Sequence, residues 1–152
     1  MFLWRLNMEQ ELLGALLSVA ISLSGLPPLE VSEVPPILRL SHAEMTRQIC
    51  PADPLSCKGM AAIFDLEQQR ILVVDTLDMK LADDNSFLVH ELVHVLQFKQ
   101  RGHQMYENCE ESTKTEGQAY RVQNAYLKMQ GRLLRFYQRL AFADCDSPER
   151  LL

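Results

Sequence analysis

Apolar positions change their period several times along the chain, and each change marks an element. Leu12, Leu13, Leu16, Leu17, Ala20 and Ile21 fall on one side of a helix, and Glu11, Gly14, Ser18, Ser22 and Gly25 on the other. This predicts an amphipathic helix over about 9–26, ended by Pro27-Pro28. Residues 29–40 read as an extended segment broken by Pro35-Pro36, with Ile37, Leu38 and Leu40 a short strand. Ser41-His-Ala-Glu44 has capping-box form and opens a short helix to about Cys50. Pro51 to Gly59 is loop. Ala61–Leu66 and Arg70–Asp75, separated by Glu67-Gln68-Gln69, predict a hairpin over about 61–75. Its second half, Ile71-Leu72-Val73-Val74, lacks polar alternation, as in a strand buried on both faces.

Beyond the hairpin the period returns to that of a helix. Asp83, Asp84, Asn85 and Ser86 offer N-caps and Gly102 a stop, which frames a helix near 85–101 with Leu88, Leu92, Val95, Leu96 and Phe98 directed inward. A polar loop follows. Ala119, Val122, Tyr126 and Met129 predict a helix over about 112–130, and Gly131 separates it from a last helix, 132–143, carrying Leu133, Leu134, Phe136, Tyr137 and Leu140. The expected class is α+β: one mainly helical domain spanning 1–152, with a short hairpin or small sheet packed on the helix at 85–101.

Composition narrows the function. At 152 residues the chain is long enough to bury about two thirds of its unfolded surface. A formal charge of -5 and a pI near 5.3 argue against a nucleic-acid binder. Arg121, Lys128, Arg132, Arg135 and Arg139 make the C-terminal part basic, which reads as a solvated helix face rather than an anion site. The 9–26 segment is short and polar on one side, so no membrane span is favoured. Acidic residues precede it where a signal peptide prefers positive charge, so it reads as the first helix of the domain. Cys50, Cys57, Cys109 and Cys145 permit two disulfides, with Cys50 and Cys57 bracketing a proline-containing loop, and lean towards an exported, oxidising setting over a cytoplasmic one.

The candidate chemistry lies in Phe87-Leu-Val-His90-Glu91-Leu-Val-His94-Val-Leu-Gln97. Residues four apart on a helix are about 40° round and about 6 Å along from each other, so His90 and His94 share a face and can bind one tetrahedral zinc. Glu91 stands beside the first histidine, where it could take a proton from a metal-bound water. A catalytic zinc has three protein ligands. Glu116 is the choice for the third, with Glu111, His103 and Glu110 behind it. Thr113-Lys-Thr-Glu116 is also a capping-box pattern, so a helix cap competes for Glu116. His42, in the first turn of the short helix, reads as a solvent-facing residue rather than a ligand.

His90-Glu-Leu-Val-His94 followed by Glu116-Gly-Gln-Ala-Tyr120 resembles the gluzincins, zinc metallopeptidases with two histidines from one helix and a glutamate from the next. This likeness covers perhaps a third of the chain. The wider pattern is similar to small bacterial domains of metallopeptidase type that carry no established substrate. The resemblance implies a zincin-like minimal domain with Zn2+ on His90, His94 and Glu116, Glu91 as general base, and a peptide or protein substrate, which an edge strand beside the cleft could hold. Tyr106, Tyr120 and His103 are candidate oxyanion donors by position. Many gluzincins carry an aspartate four residues after the glutamate ligand, and this chain has Tyr120 there. Two other readings stand beside hydrolysis: a zinc-binding domain without catalysis, and a protein-interaction module.

Overall fold

A computed structural model of the chain describes residues 2, 3, 8–133, 135, 136 and 145. Among them are strands β1 (Phe2–Leu3), β2 (Ile37–Leu40), β3 (Ala62–Asp65) and β4 (Arg70–Val74), and helices α1 (Met8–Ser24), α2 (His42–Ile49), α3 (Ala82–Arg101) and α4 (Cys109–Met129). The fold is α+β. The sheet runs in the order β1-β2-β4-β3 and is mixed: β2 and β4 are parallel, while β1 on β2 and β3 on β4 are antiparallel. β3 and β4 form the expected hairpin, with Gln69 in the turn at φ 51°.

The sheet separates two apolar layers. Ile37, Phe64, Ile71 and Val73 face the main core with Leu13, Leu16, Leu17 and Ala20 of α1 and Leu88, Leu92 and Leu96 of α3. Leu40, Leu72 and Val74 face the other way, onto Met45 of α2. All four residues of Ile71–Val74 are therefore buried, which explains a strand with no polar alternation. α3 is buried without interruption from Leu88 to Gln97. A helix enclosed on so many sides can carry polar residues only where each finds a partner.

Element ends follow local chemistry, and three depart from expectation. α3 begins at Ala82, with Leu81 in the capping position and no side-chain cap bond. Asp83 and Asp84 lie inside the first turn, where they suit the positive end of the helix dipole. Asp84 accepts from the Asp78 amide (2.7 Å), and Asp83 pairs with Arg132 (2.9 Å). α4 begins three residues before the expected Ser112, because Asn108 caps it by accepting from the Glu111 amide. Glu116 thus lies two turns into the helix and is not its cap. Most of the expected last helix, 132–143, lies outside the described residues, and Arg132, Leu133, Arg135 and Phe136 are not helical. Ser41 caps α2 as expected, and Gly102 ends α3 at φ 59°. His42 is exposed and donates from Nε2 to the Cys57 carbonyl (3.0 Å).

Two disulfides are present, Cys50–Cys57 and Cys109–Cys145. Among the described residues no helix is long and apolar enough to cross a membrane. The bridges close loops of very different length, with sequence separations of 7 and 36. Loop-closure entropy then assigns about 2–3 kcal/mol to the first and about 4 kcal/mol to the second. Replacing Cys109 and Cys145 together by alanine should lower the urea midpoint more than replacing Cys50 and Cys57. The reverse order would show that local packing around buried Cys57 outweighs chain entropy.

Candidate metal centre

Two facing helices build the site. His90 and His94 lie one turn apart on α3, and Glu116 reaches them from α4. The two Nε2 atoms are 3.1 Å apart; Glu116 Oε1 is 3.3 Å from His90 Nε2, and Oε2 is 2.8 Å from His94 Nε2. Ligand atoms about 2.0–2.1 Å from a tetrahedral ion stand about 3.3 Å from one another, so these spacings suit a single small ion. His90, His94 and Glu116 could hold a metal ion: a donor atom from each lies within 4.8 Å of the others.

Both imidazoles are oriented from behind. His90 Nδ1 meets Gln123 Oε1 at 2.9 Å, and His94 Nδ1 meets Gln97 Oε1 at 2.7 Å. An amide oxygen only accepts, so each Nδ1 carries a hydrogen. The chain belongs to the DUF6647 family. A family model described as a domain of unknown function, DUF6647, matches residues 12–145. No curated protein and no solved structure matches the chain.

In this DUF6647 domain the remaining candidates separate cleanly. Glu91 is buried, with Oε1 accepting the Phe64 amide of β3 (2.9 Å) and Oε2 4.0 Å from His90 Nε2. Tyr106 donates its hydroxyl to Glu116 Oε2 (2.7 Å). Tyr120 packs edge-on against His90, ring centroids 4.4 Å apart. Glu111 pairs with Arg101 and Lys114 instead of turning inward. Glu110 is exposed. His103 is not brought to the site: the turn after Gly102 lays its ring edge-on against Phe98. Gln97 and Gln123 were not among the residues expected to matter. Their sequence signal is weak, a polar residue one turn past His94 and another two turns past Glu116.

The site opens on a groove of about 860 Å³. β3 forms one wall. Its lining includes Ile49 and Lys58, near the Cys50–Cys57 loop, the site residues His90, Glu91, His94 and Glu116, and Phe87 and Phe136. Those two phenylalanines pack together with ring centroids 4.8 Å apart.

Burial and charge act against each other on these groups. For Glu116, burial raises the carboxyl pKa, but hydrogen bonds and charge from His90 and His94 outweigh it and hold the group well below the usual carboxylate range. For His94, burial disfavours the imidazolium, but the hydrogen bond to Glu116 and its charge push the value up to about 9. Burial pushes Glu91 above its ordinary value, against the pull of His90 and His94. Burial and the Glu116 charge likewise raise Tyr106, which keeps its proton as an O–H donor.

These shifts fix how the metal-free protein responds to pH. His94 moves from 6.5 unfolded to about 9 folded, so its contribution is complete below about pH 6.5 and is lost as pH rises through about 9. Glu91, raised on folding, acts in the same direction, because its ionised form disfavours the fold. Glu116, lowered from 4.5, contributes above that value and loses its contribution in acid. The urea midpoint of chelator-treated protein should therefore fall between about pH 7 and about pH 10. A flat profile over that range would mean that His94 is neutral beside Glu116.

Proposed function

We propose that this domain is a zinc-dependent hydrolase of peptide bonds, related in its chemistry to the gluzincins. The observation that carries this reading is the meeting of His90 Nε2, His94 Nε2 and the Glu116 carboxylate on the floor of an open groove, with Glu91 beside them. The donor set of two imidazoles and one carboxylate is one that catalytic zinc sites use, with a coordination position left for water or substrate. Zinc held there would supply Lewis acidity and lower the pKa of a water ligand towards about 7.

The chain's own residues supply the remaining parts. Glu91 has one oxygen fixed by the Phe64 amide and the other directed towards the histidines, so it is placed to take a proton from the attacking water. As water oxygen bonds to the carbonyl carbon and the C–N bond breaks, Glu91 returns that proton to the leaving nitrogen. Tyr106 and Tyr120 are the candidates to donate to the developing oxyanion, and Tyr106, whose hydroxyl bonds Glu116, would turn from that carboxylate to do so. β3 supports a peptide substrate. The Val74 amide donates to the Ala61 carbonyl, so alternation turns the main-chain groups of Ala62 and Phe64 away from β4; the Phe64 amide holds Glu91, which leaves the Ala62 groups and the Phe64 carbonyl for a substrate strand. The two disulfides favour an exported protein working in an oxidising compartment.

Chelator-stripped protein titrated with zinc should bind one ion per chain. Glu91→Gln should keep that stoichiometry and lower peptide hydrolysis by about 10²–10⁴-fold. Glu116→Ala should fail to retain zinc through dialysis and should lose the thermal stabilisation that zinc gives the parent. Hydrolysis by Glu91→Gln at the parent's rate would remove Glu91 as the base, and unchanged zinc retention by Glu116→Ala would remove the third ligand.

A further inference from the structure

We infer that Gln97 and Gln123 are positioning residues of the metal centre, each ending a one-way hydrogen-bond relay that holds an imidazole with a hydrogen on Nδ1 and turns its Nε2 to the ion site. The inference deepens the zinc reading above and rests on it for its purpose. Its geometry rests only on how the side chains are bonded.

Each relay takes its direction from a main-chain carbonyl. Gln97 Nε2 donates to the Thr115 carbonyl (3.0 Å) and to Gln118 Oε1 (2.9 Å). A carbonyl only accepts, so the amide nitrogen must face it, and Oε1 is left for His94 Nδ1. Gln118 is directed in the same way, since its Nε2 donates to the Ser24 carbonyl at the end of α1 (3.3 Å). On the other side, the Ser86 hydroxyl donates to the Asp83 carbonyl (2.7 Å) and its oxygen then accepts from Gln123 Nε2 (3.1 Å). Gln123 Oε1 is therefore fixed on His90 Nδ1. Gln97 and Gln123 are each 1 % exposed, so no solvent can stand in for either bond. Reversing the Gln97 amide would set like against like at both of its ends, and reversing that of Gln123 would take the Ser86 hydroxyl from its bond to the Asp83 carbonyl.

The two positions differ in what they tolerate. Gln97 must both accept from His94 and donate to Thr115, whose carbonyl cannot change role. A carboxylate at 97 accepts but cannot donate, and it would face that carbonyl unpaired. Gln123 donates to a hydroxyl, which can turn and donate instead. A carboxylate at 123 therefore keeps the bond to His90, and its charge strengthens the imidazole as a ligand.

The test compares Gln97→Leu, Gln97→Glu, Gln123→Leu and Gln123→Glu with the parent. Zinc affinity is read by chelator competition, and the His90 tautomer by ¹⁵N imidazole shifts in metal-free protein. Both leucine variants should weaken zinc by about 10–100-fold. Gln97→Glu should weaken it comparably, whereas Gln123→Glu should bind at least as tightly as the parent. His90 should carry its hydrogen on Nδ1 in the parent and in Gln123→Glu, and lose that preference in Gln123→Leu. Parental affinity in Gln123→Leu, or equal losses in Gln123→Glu and Gln123→Leu, would overturn the positioning role. Should the Gln97 variants fail to fold, the Gln123 pair decides alone. A parent that takes up no zinc would sink the hydrolase reading. The tautomer would still judge the relays, and a His90 with no hydrogen on Nδ1 in the parent would overturn them.

Discussion

Two carboxylates, buried Glu91 and part-buried Glu116, share one corner with two imidazoles, and the packing of α3 against α4 depends on how that corner is neutralised. A buried carboxylate is costly unless it is paired. Glu116 is paired twice over, by the two histidines it faces. Glu91 has a single fixed partner, the Phe64 amide, and burial drives it towards its protonated form. A divalent cation among the three donor atoms would reverse that tendency, since a nearby positive charge favours the ionised carboxylate.

The sheet serves this corner through its register. β3 touches Glu91 with one main-chain amide, and that amide faces the groove only because Phe64 stands opposite Ile71. A slip of one residue would turn the Phe64 amide towards β4 and leave the buried Glu91 oxygen without its donor. The fully apolar run of β4 guards against such a slip. Ile71 and Val73 are held in the main core while Leu72 and Val74 are held in the layer under α2, so neither face can be exchanged for the other.

What the chain discloses by itself follows the sequence separation of the contacts. His90, Glu91 and His94 lie within two turns of one helix, so their shared face is legible from spacing alone. The hairpin and α1 are legible for the same reason, since periodicity is a local property. Glu116 was one acidic residue among three, and what singles it out is the phase of α4, which starts at Asn108 and leaves Glu111 beside Arg101. The Gln123–His90 and Phe64–Glu91 bonds join residues 33 and 27 positions apart, and no local pattern announces them. Spacing alone leaves His103 among the alternatives, and what removes it is a glycine at positive φ that redirects the chain immediately before it, onto Phe98. The start of α3 was placed late because its acidic residues resemble caps, whereas in the fold they bond to the preceding loop and to Arg132.

The neutrality of the surrounding network has a physical reason. With both imidazoles uncharged as ligands, Glu116 and Glu91 bring two negative charges, which a divalent ion balances in full. A carboxylate in place of Gln123 would orient its ring as well but would add a third negative charge beside Glu91 and Glu116, and one in place of Gln97 would in addition face the Thr115 carbonyl unpaired. Carboxamides orient without adding charge. They also pass the strain of fixing each ring outward to the Thr115 and Ser24 carbonyls and to Ser86, groups that the helices hold in place for their own reasons. A ring held in this way needs no reordering when an ion arrives, so the ordering cost is met by the fold and not by the binding step.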